Sequence, residues 1–163
     1  MPAGKHLPVT NIKLKKMQPS FSTRTILLAE DDPDDVLLLQ LALKKMPLII
    51  DLKHEFTAEM LLKRLEKEVP DMLFLDIQLP GINGISCLIE IRKIEAYNNL
   101  PVIMFSSSTL AHHIDQSYSR GANYYIIKPN TIEVLIEQLK KIFLIDWDNR
   151  PYIPLRSGFV LRK

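Results

Sequence analysis

The 163-residue sequence predicts an α/β fold: a doubly wound, five-stranded parallel sheet with five helices packed on its two faces. Three observations carry that expectation. Short apolar runs, of which Met72-Leu73-Phe74-Leu75 is the clearest, have the length of strands buried on both faces and are closed by turn formers. Longer segments between them repeat apolar residues at helical spacing. A hydrophobic content of 47% with 25% charged residues suits one globular domain with a sizeable core.

The elements follow in order. Residues 1–23 hold scattered lysines and prolines with no sustained period, and read as a flexible basic arm. Thr25 to Ala29 is the first strand. In Asp32-Pro33-Asp34-Asp35 a helix starts, with Asp32 as N-cap, Pro33 at the first helical position and acids in the first turn. That helix runs to Lys44-Lys45, before Pro47. Ile49 to Phe56 alternates charged and apolar residues, as a strand near the sheet edge does. Thr57 caps a helix carrying Met60, Leu61 and Leu65, which ends before Pro70. After the Met72–Leu75 strand, Gly84 opens a third helix over Ile85–Ile94, with Cys87 as a small packing residue.

Leu100 to Phe105 is the fourth strand and runs into Ser106-Ser107-Ser108. A weaker helix covers Thr109–Ser119, closed by Gly121 as the residue after its C-cap. Tyr124 to Ile127 is the fifth strand, ending at Lys128-Pro129. Asn130 to Glu133 reads as a capping box for the last helix, whose Ile132, Leu135, Ile136, Leu139 and Phe143 share one face. The segment 24–145 thus forms the domain. Residues 146–163, with Trp147, Pro151, Tyr152, Phe159 and Val160, read as a tail packing on the domain or on a partner.

Charge and composition narrow the function. Residues 1–24 carry five cations and no acid, whereas the domain itself is acidic within an overall +2. A negatively charged core speaks against direct DNA binding by the domain. The single cysteine excludes an internal disulfide framework and suits a reducing cytoplasm. His54, His112 and His113 show no zinc-ligand spacing. No apolar run approaches the ~20 residues needed to cross a bilayer, so no membrane association is expected.

Acids gather at the strand ends. The first strand stops at Glu30-Asp31-Asp32 and the third at Asp76. In an open parallel sheet these C-terminal ends face one crevice, together with Ser106 from the fourth strand and Lys128 from the fifth. Like charges so placed repel unless a cation lies among them, and a carboxylate-rich site suits the hard cation Mg²⁺. A lysine and a hydroxyl opposite would serve a phosphoryl group carried on Asp76 as an acyl phosphate. Separately, Lys128 as a surface lysine, Tyr125 as a core aromatic and Ser106 as a helix cap would be unexceptional. Their order along the chain is what counts.

That order resembles the response regulator receiver domain of two-component signalling. The resemblance rests on Glu30-Asp31, on Asp76-x-x-Leu79-Pro80-x-x-x-Gly84, on Pro101-Val102-Ile103 leading to Ser106, and on Gly121-Ala122-x-x-Tyr125-x-x-Lys128-Pro129. It implies a flavodoxin-like strand order 2-1-3-4-5 and a stand-alone, single-domain switch. Asp76 would accept the phosphoryl group from a sensor histidine kinase or phosphotransfer protein. Glu30, Asp31, Asp76 and the Gln78 backbone carbonyl would hold Mg²⁺. Lys128 would pair with the phosphoryl oxygens, Ser106 would hydrogen-bond them, and Tyr125 would follow Ser106 by turning inward. The resemblance also implies a cis Lys128-Pro129 bond and allows a homodimer on activation.

With three acids in a row, Asp31 and Asp32 compete for the metal; Pro33 favours Asp32 as the helix cap. An alternative function is a Mg²⁺-dependent phosphatase or phosphotransferase with an aspartyl nucleophile. Such enzymes have a second acid two residues after the nucleophile, where this chain has Gln78.

Overall fold

The computed structural model describes residues 20–147 and 153–162. Six parallel strands form one sheet: β1 (Ser20–Ala29), β2 (Leu48–Glu55), β3 (Met72–Leu75), β4 (Val102–Ser106), β5 (Tyr124–Ile127) and β6 (Val160–Leu161), in the spatial order 2-1-3-4-5-6. The helices are α1 (Pro33–Leu43), α2 (Ala58–Leu65), α3 (Gly84–Arg92), α4 (Ala111–Ser119) and α5 (Ile132–Phe143). Single 3₁₀ turns cover Glu95–Tyr97 and Arg156–Gly158.

Side chains alternate across each strand, so the sheet divides the core in two. Leu27, Leu73, Leu75, Met104 and Tyr125 face a layer containing Leu61 and Leu65 of α2, Leu88 and Ile91 of α3, and Ile114 of α4. Ile26, Leu28, Phe74, Ile103, Phe105 and Ile126 face Leu39 and Leu43 of α1 and Leu135, Leu139 and Ile142 of α5. β3 and β4 are buried along their whole length, as strands covered on both faces must be.

Local chemistry sets the helix starts. Asp32 Oδ1 accepts from the Asp34 N–H at 2.9 Å, with Pro33 at the next position. Thr57 Oγ1 accepts from the Met60 N–H at 3.2 Å, and Asn83 Oδ1 from the Ser86 N–H at 2.9 Å. Gly121, at φ +93°, supplies the left-handed residue that ends α4. Arg92 has a half-buried guanidinium that donates to the carbonyls of Tyr97, Leu100 and Gly121 and to Asn123 Oδ1. It ties the end of α3 to the entries of β4 and β5.

Several expectations are corrected. The sheet has six strands, not five: Val160 pairs with Tyr125 and Leu161 with Ile126. β1 starts at Ser20 rather than Thr25, with a register shift between Ser20 and Thr23, so four residues assigned to the arm belong to the sheet. The rest of that arm lies outside the described residues, as do Pro151 and Tyr152. The N-cap of α5 is Thr131, whose Oγ1 accepts from the Val134 N–H, not Asn130. The Lys128-Pro129 bond is trans; no cis peptide occurs among the described residues. Among those residues, no helix is long and apolar enough to cross a membrane.

Candidate functional site

The crevice at the C-terminal ends of β1, β3 and β5 is built outward from parallel pairing. Leu28 lies opposite Phe74 and Ala29 opposite Leu75, so Glu30-Asp31 and Asp76 leave the sheet side by side. Carboxylate oxygens of Glu30, Asp31 and Asp76 all lie within 4.8 Å of one another. Glu30 and Asp76 are buried and Asp31 is exposed, which leaves the cluster open on one side. Asp32 turns away to cap α1, so the two neighbouring acids have separate roles.

Lys128 closes the cluster. Its Nζ lies 2.6 Å from Glu30 Oε2, 2.7 Å from Asp35 Oδ2 and 3.0 Å from Asp76 Oδ2. It also sits 5.4 Å from the centre of the Phe105 ring. Burial works to lower the pKa of this ammonium, but the carboxylates of Asp35, Glu30 and Asp76, all within 3.0 Å, outweigh it, and Lys128 is held well above the usual lysine range. Burial pushes the Glu30 carboxyl up to about 7; Lys128 pulls the other way and Asp76 adds to the rise. Glu30 Oε1 accepts from the Asp32 N–H at 3.1 Å. Its Oε2 is close enough to Lys128 for ion pairing, yet it is buried with no aligned hydrogen-bond donor.

That oxygen, without a hydrogen bond in a group of carboxylates that outnumbers its one ammonium, is an environment a hard divalent cation fits. Gln78, expected to add its backbone carbonyl, is exposed in the loop after Asp76.

The loop carrying Asp76 is tightly folded. Asp76 Oδ1 accepts from the Ile77 N–H at 2.6 Å, and the Gly84 N–H donates to the Ile77 carbonyl at 2.9 Å. A Cβ at position 84 would lie 1.9 Å from the Asp76 carbonyl oxygen, so only glycine lets α3 begin so close beneath the acid.

On the far side, Ser106 is fully buried at the end of β4, and its Oγ accepts from the Ser108 N–H at 3.4 Å. Tyr125 is also fully buried, and its hydroxyl donates to the Ser108 carbonyl at 2.8 Å. The ring expected to turn inward only on activation is thus already inward. Burial raises the pKa of its phenol.

The sequence reading missed two contributors. Asp35 shares Lys128, but an acid in a first helical turn is already explained by the helix dipole. His54 Nε2–H donates to the Glu30 carbonyl at 2.7 Å, bracing β1 from β2; nothing in the strand pattern marks it.

Comparison with known proteins places this geometry. The model of the response regulator receiver domain matches residues 26–140. The chemotaxis protein CheY of Pseudomonas aeruginosa is 37% identical over 73 residues, 45% of this chain and 59% of that protein. The chain spans 56%, 59% and 63% of the length of three such curated relatives. The crystal structure of response regulator RPA3017, in red light signalling of R. palustris, is 28% identical, covers 74% of this chain and 91% of its own, and superposes with a TM-score of 0.67. That of the phosphorylated cyanobacterial phytochrome response regulator RcpA gives the same identity and coverages with a TM-score of 0.66.

Proposed function

The chain belongs to the response regulator receiver domain family, and on that premise we propose that Asp76 is the residue through which it is switched by phosphorylation. The observation that carries the assignment is Lys128, whose Nζ lies 3.0 Å from Asp76 Oδ2 at the mouth of a carboxylate cluster. Asp76 Oδ1 is engaged by the Ile77 N–H, which orients the carboxylate. An Asp76 oxygen attacks the phosphorus of a phosphohistidine; the bond from phosphorus to the leaving nitrogen breaks, and an acyl phosphate remains. Lys128 turns its donors to the new phosphoryl oxygens. Ser106, at the end of the neighbouring strand, supplies the hydroxyl on the opposite side.

Glu30, Asp31, Asp76 and the Gln78 carbonyl would hold Mg²⁺, which when bound neutralises charge on the transferring phosphoryl group. The phosphoryl donor is a sensor histidine kinase or a phosphotransfer protein. The signal leaves by contact with another protein or a second copy of the chain, in the cytoplasm and without DNA binding. The chain's own chemistry is limited to gaining and losing this phosphoryl group.

The test is incubation with acetyl phosphate. Labelling of one site per chain is expected with Mg²⁺, and none in chelator or in Asp76→Asn. Steady hydrolysis of a small phosphate ester by the unlabelled chain would instead favour the aspartyl phosphatase reading. Gln78, which cannot donate a proton as that enzyme's second acid does, argues against it.

A further inference from the structure

The C-terminal segment grips the two elements around the switch. Phe159 is fully buried, edge-on to Tyr118 of α4 with ring centroids 5.1 Å apart and to Tyr125 of β5 at 6.2 Å. The Tyr125 N–H donates to the Phe159 carbonyl at 3.0 Å, and β6 continues the pairing along β5. On the helix side, the Tyr118 hydroxyl donates to the Pro154 carbonyl at 3.1 Å, and Arg156 Nη2 lies 2.5 Å from Asp115 Oδ1. A contact path therefore runs from Ser106 to Ser108, from the Ser108 carbonyl to the Tyr125 hydroxyl, and from the Tyr125 ring to Phe159.

Tyr125 is held inward at its tip by Ser108 and at its flank by Phe159. We propose that residues 154–161 act as a brace on the switch, with Phe159 as a positioning residue that keeps Tyr125 turned inward. An inward ring is the setting that the family resemblance implies for the chain phosphorylated on Asp76, so docking of the brace and phosphorylation favour each other, and by linkage they do so equally. The inference rests on the reading of Asp76 as phosphoacceptor.

The attachment is slight. It consists of a two-residue strand, one fully buried ring, hydrogen bonds from Tyr118 to the Pro154 carbonyl and from Gln138 to the Leu161 carbonyl, and an exposed ion pair, while Ile153 and Leu155 stay largely exposed. Such a segment can leave without unfolding the sheet. A protein that captures it would turn the switch down.

The test uses the full chain with Mg²⁺ and beryllofluoride as the phosphoryl probe. Fluorine NMR reports probe binding, and amide exchange reports the segment. Bound beryllofluoride is expected to slow exchange at Tyr125 and across 154–161 by about 5-fold or more. Phe159→Ala should weaken probe binding by a similar factor and leave Mg²⁺ affinity unchanged, and Phe159→Leu should recover part of the loss. Arg156→Glu sets like charges together at an exposed pair and spares the core, so it gives a smaller shift in the same direction even where Phe159→Ala fails to fold. Bound probe with unchanged exchange over 154–161 and unchanged affinity in the variants overturns the brace and leaves the acidic site's reading standing. No bound probe in the wild-type chain overturns that reading, and the brace falls with it.

Discussion

Asp31 and Asp32 are adjacent, yet one faces the carboxylate cluster and the other caps a helix. Asp31→Ala should therefore remove most of the divalent-cation affinity and change stability little. Asp32→Ala should leave metal binding nearly intact and cost about 0.5–2 kcal/mol of stability. Metal titrations and urea melts of the two variants check this, and the reverse assignment would shift the site's register by one residue. Cys87 is fully buried in α3, and burial, with Glu59 and Glu90 adding, pushes its thiol up from 9.0 to about 12. The unfolded thiol loses its proton first, so the stability it contributes is complete below pH 9.0 and is lost as pH climbs through about 12. Native chain should resist iodoacetamide at pH 8.5 and react readily in urea, and Cys87→Ala should flatten the fall in stability over that alkaline window. Both outcomes turn on where single side chains sit in the fold.

At the scale of elements, what the sequence disclosed depended on whether the signal was local. The caps at Asp32 and Thr57 were legible because cap and first turn are neighbours in sequence. Asn130 and Thr131 are both cap formers, and only the bond from the Val134 N–H to Thr131 Oγ1 decides between them. β6 is two residues long, too short for an alternating pattern, and it is held by the burial of Phe159 against Tyr118 and Tyr125, residues distant in sequence. Asp35 carried a sufficient local explanation in the helix dipole, which hid its bond to Lys128. The loop from Asp76 to α3 was legible at Gly84, although the reason, a carbonyl where a Cβ would be, is visible only in three dimensions. Gly84→Ala should cost on the order of 1–3 kcal/mol and slow labelling of Asp76 as that carbonyl is pushed aside. A variant with unchanged melting and unchanged labelling would show that the loop yields freely.

For the whole molecule, the sheet divides two cores, and Tyr125 and Phe159 belong to the same one. Residues 1–19 have no apolar period, so removing them should shift the melting temperature little. Removing 153–163 takes away the buried Phe159 ring, worth roughly 1.5–3 kcal/mol, and should lower melting by several degrees. Equal effects from the two truncations would contradict this division of labour.

The central claim is that Asp76, gripped by Lys128 beside Glu30 and Asp31, is where the phosphoryl group is carried. Its most direct test is borohydride reduction of the labelled chain, which converts an aspartyl phosphate to homoserine, followed by tandem mass spectrometry. Homoserine at position 76 alone, and nowhere in the Asp76→Asn chain, is the predicted result. Homoserine at Asp31, Asp32 or Asp35, or an undiminished label in Asp76→Asn, would contradict it.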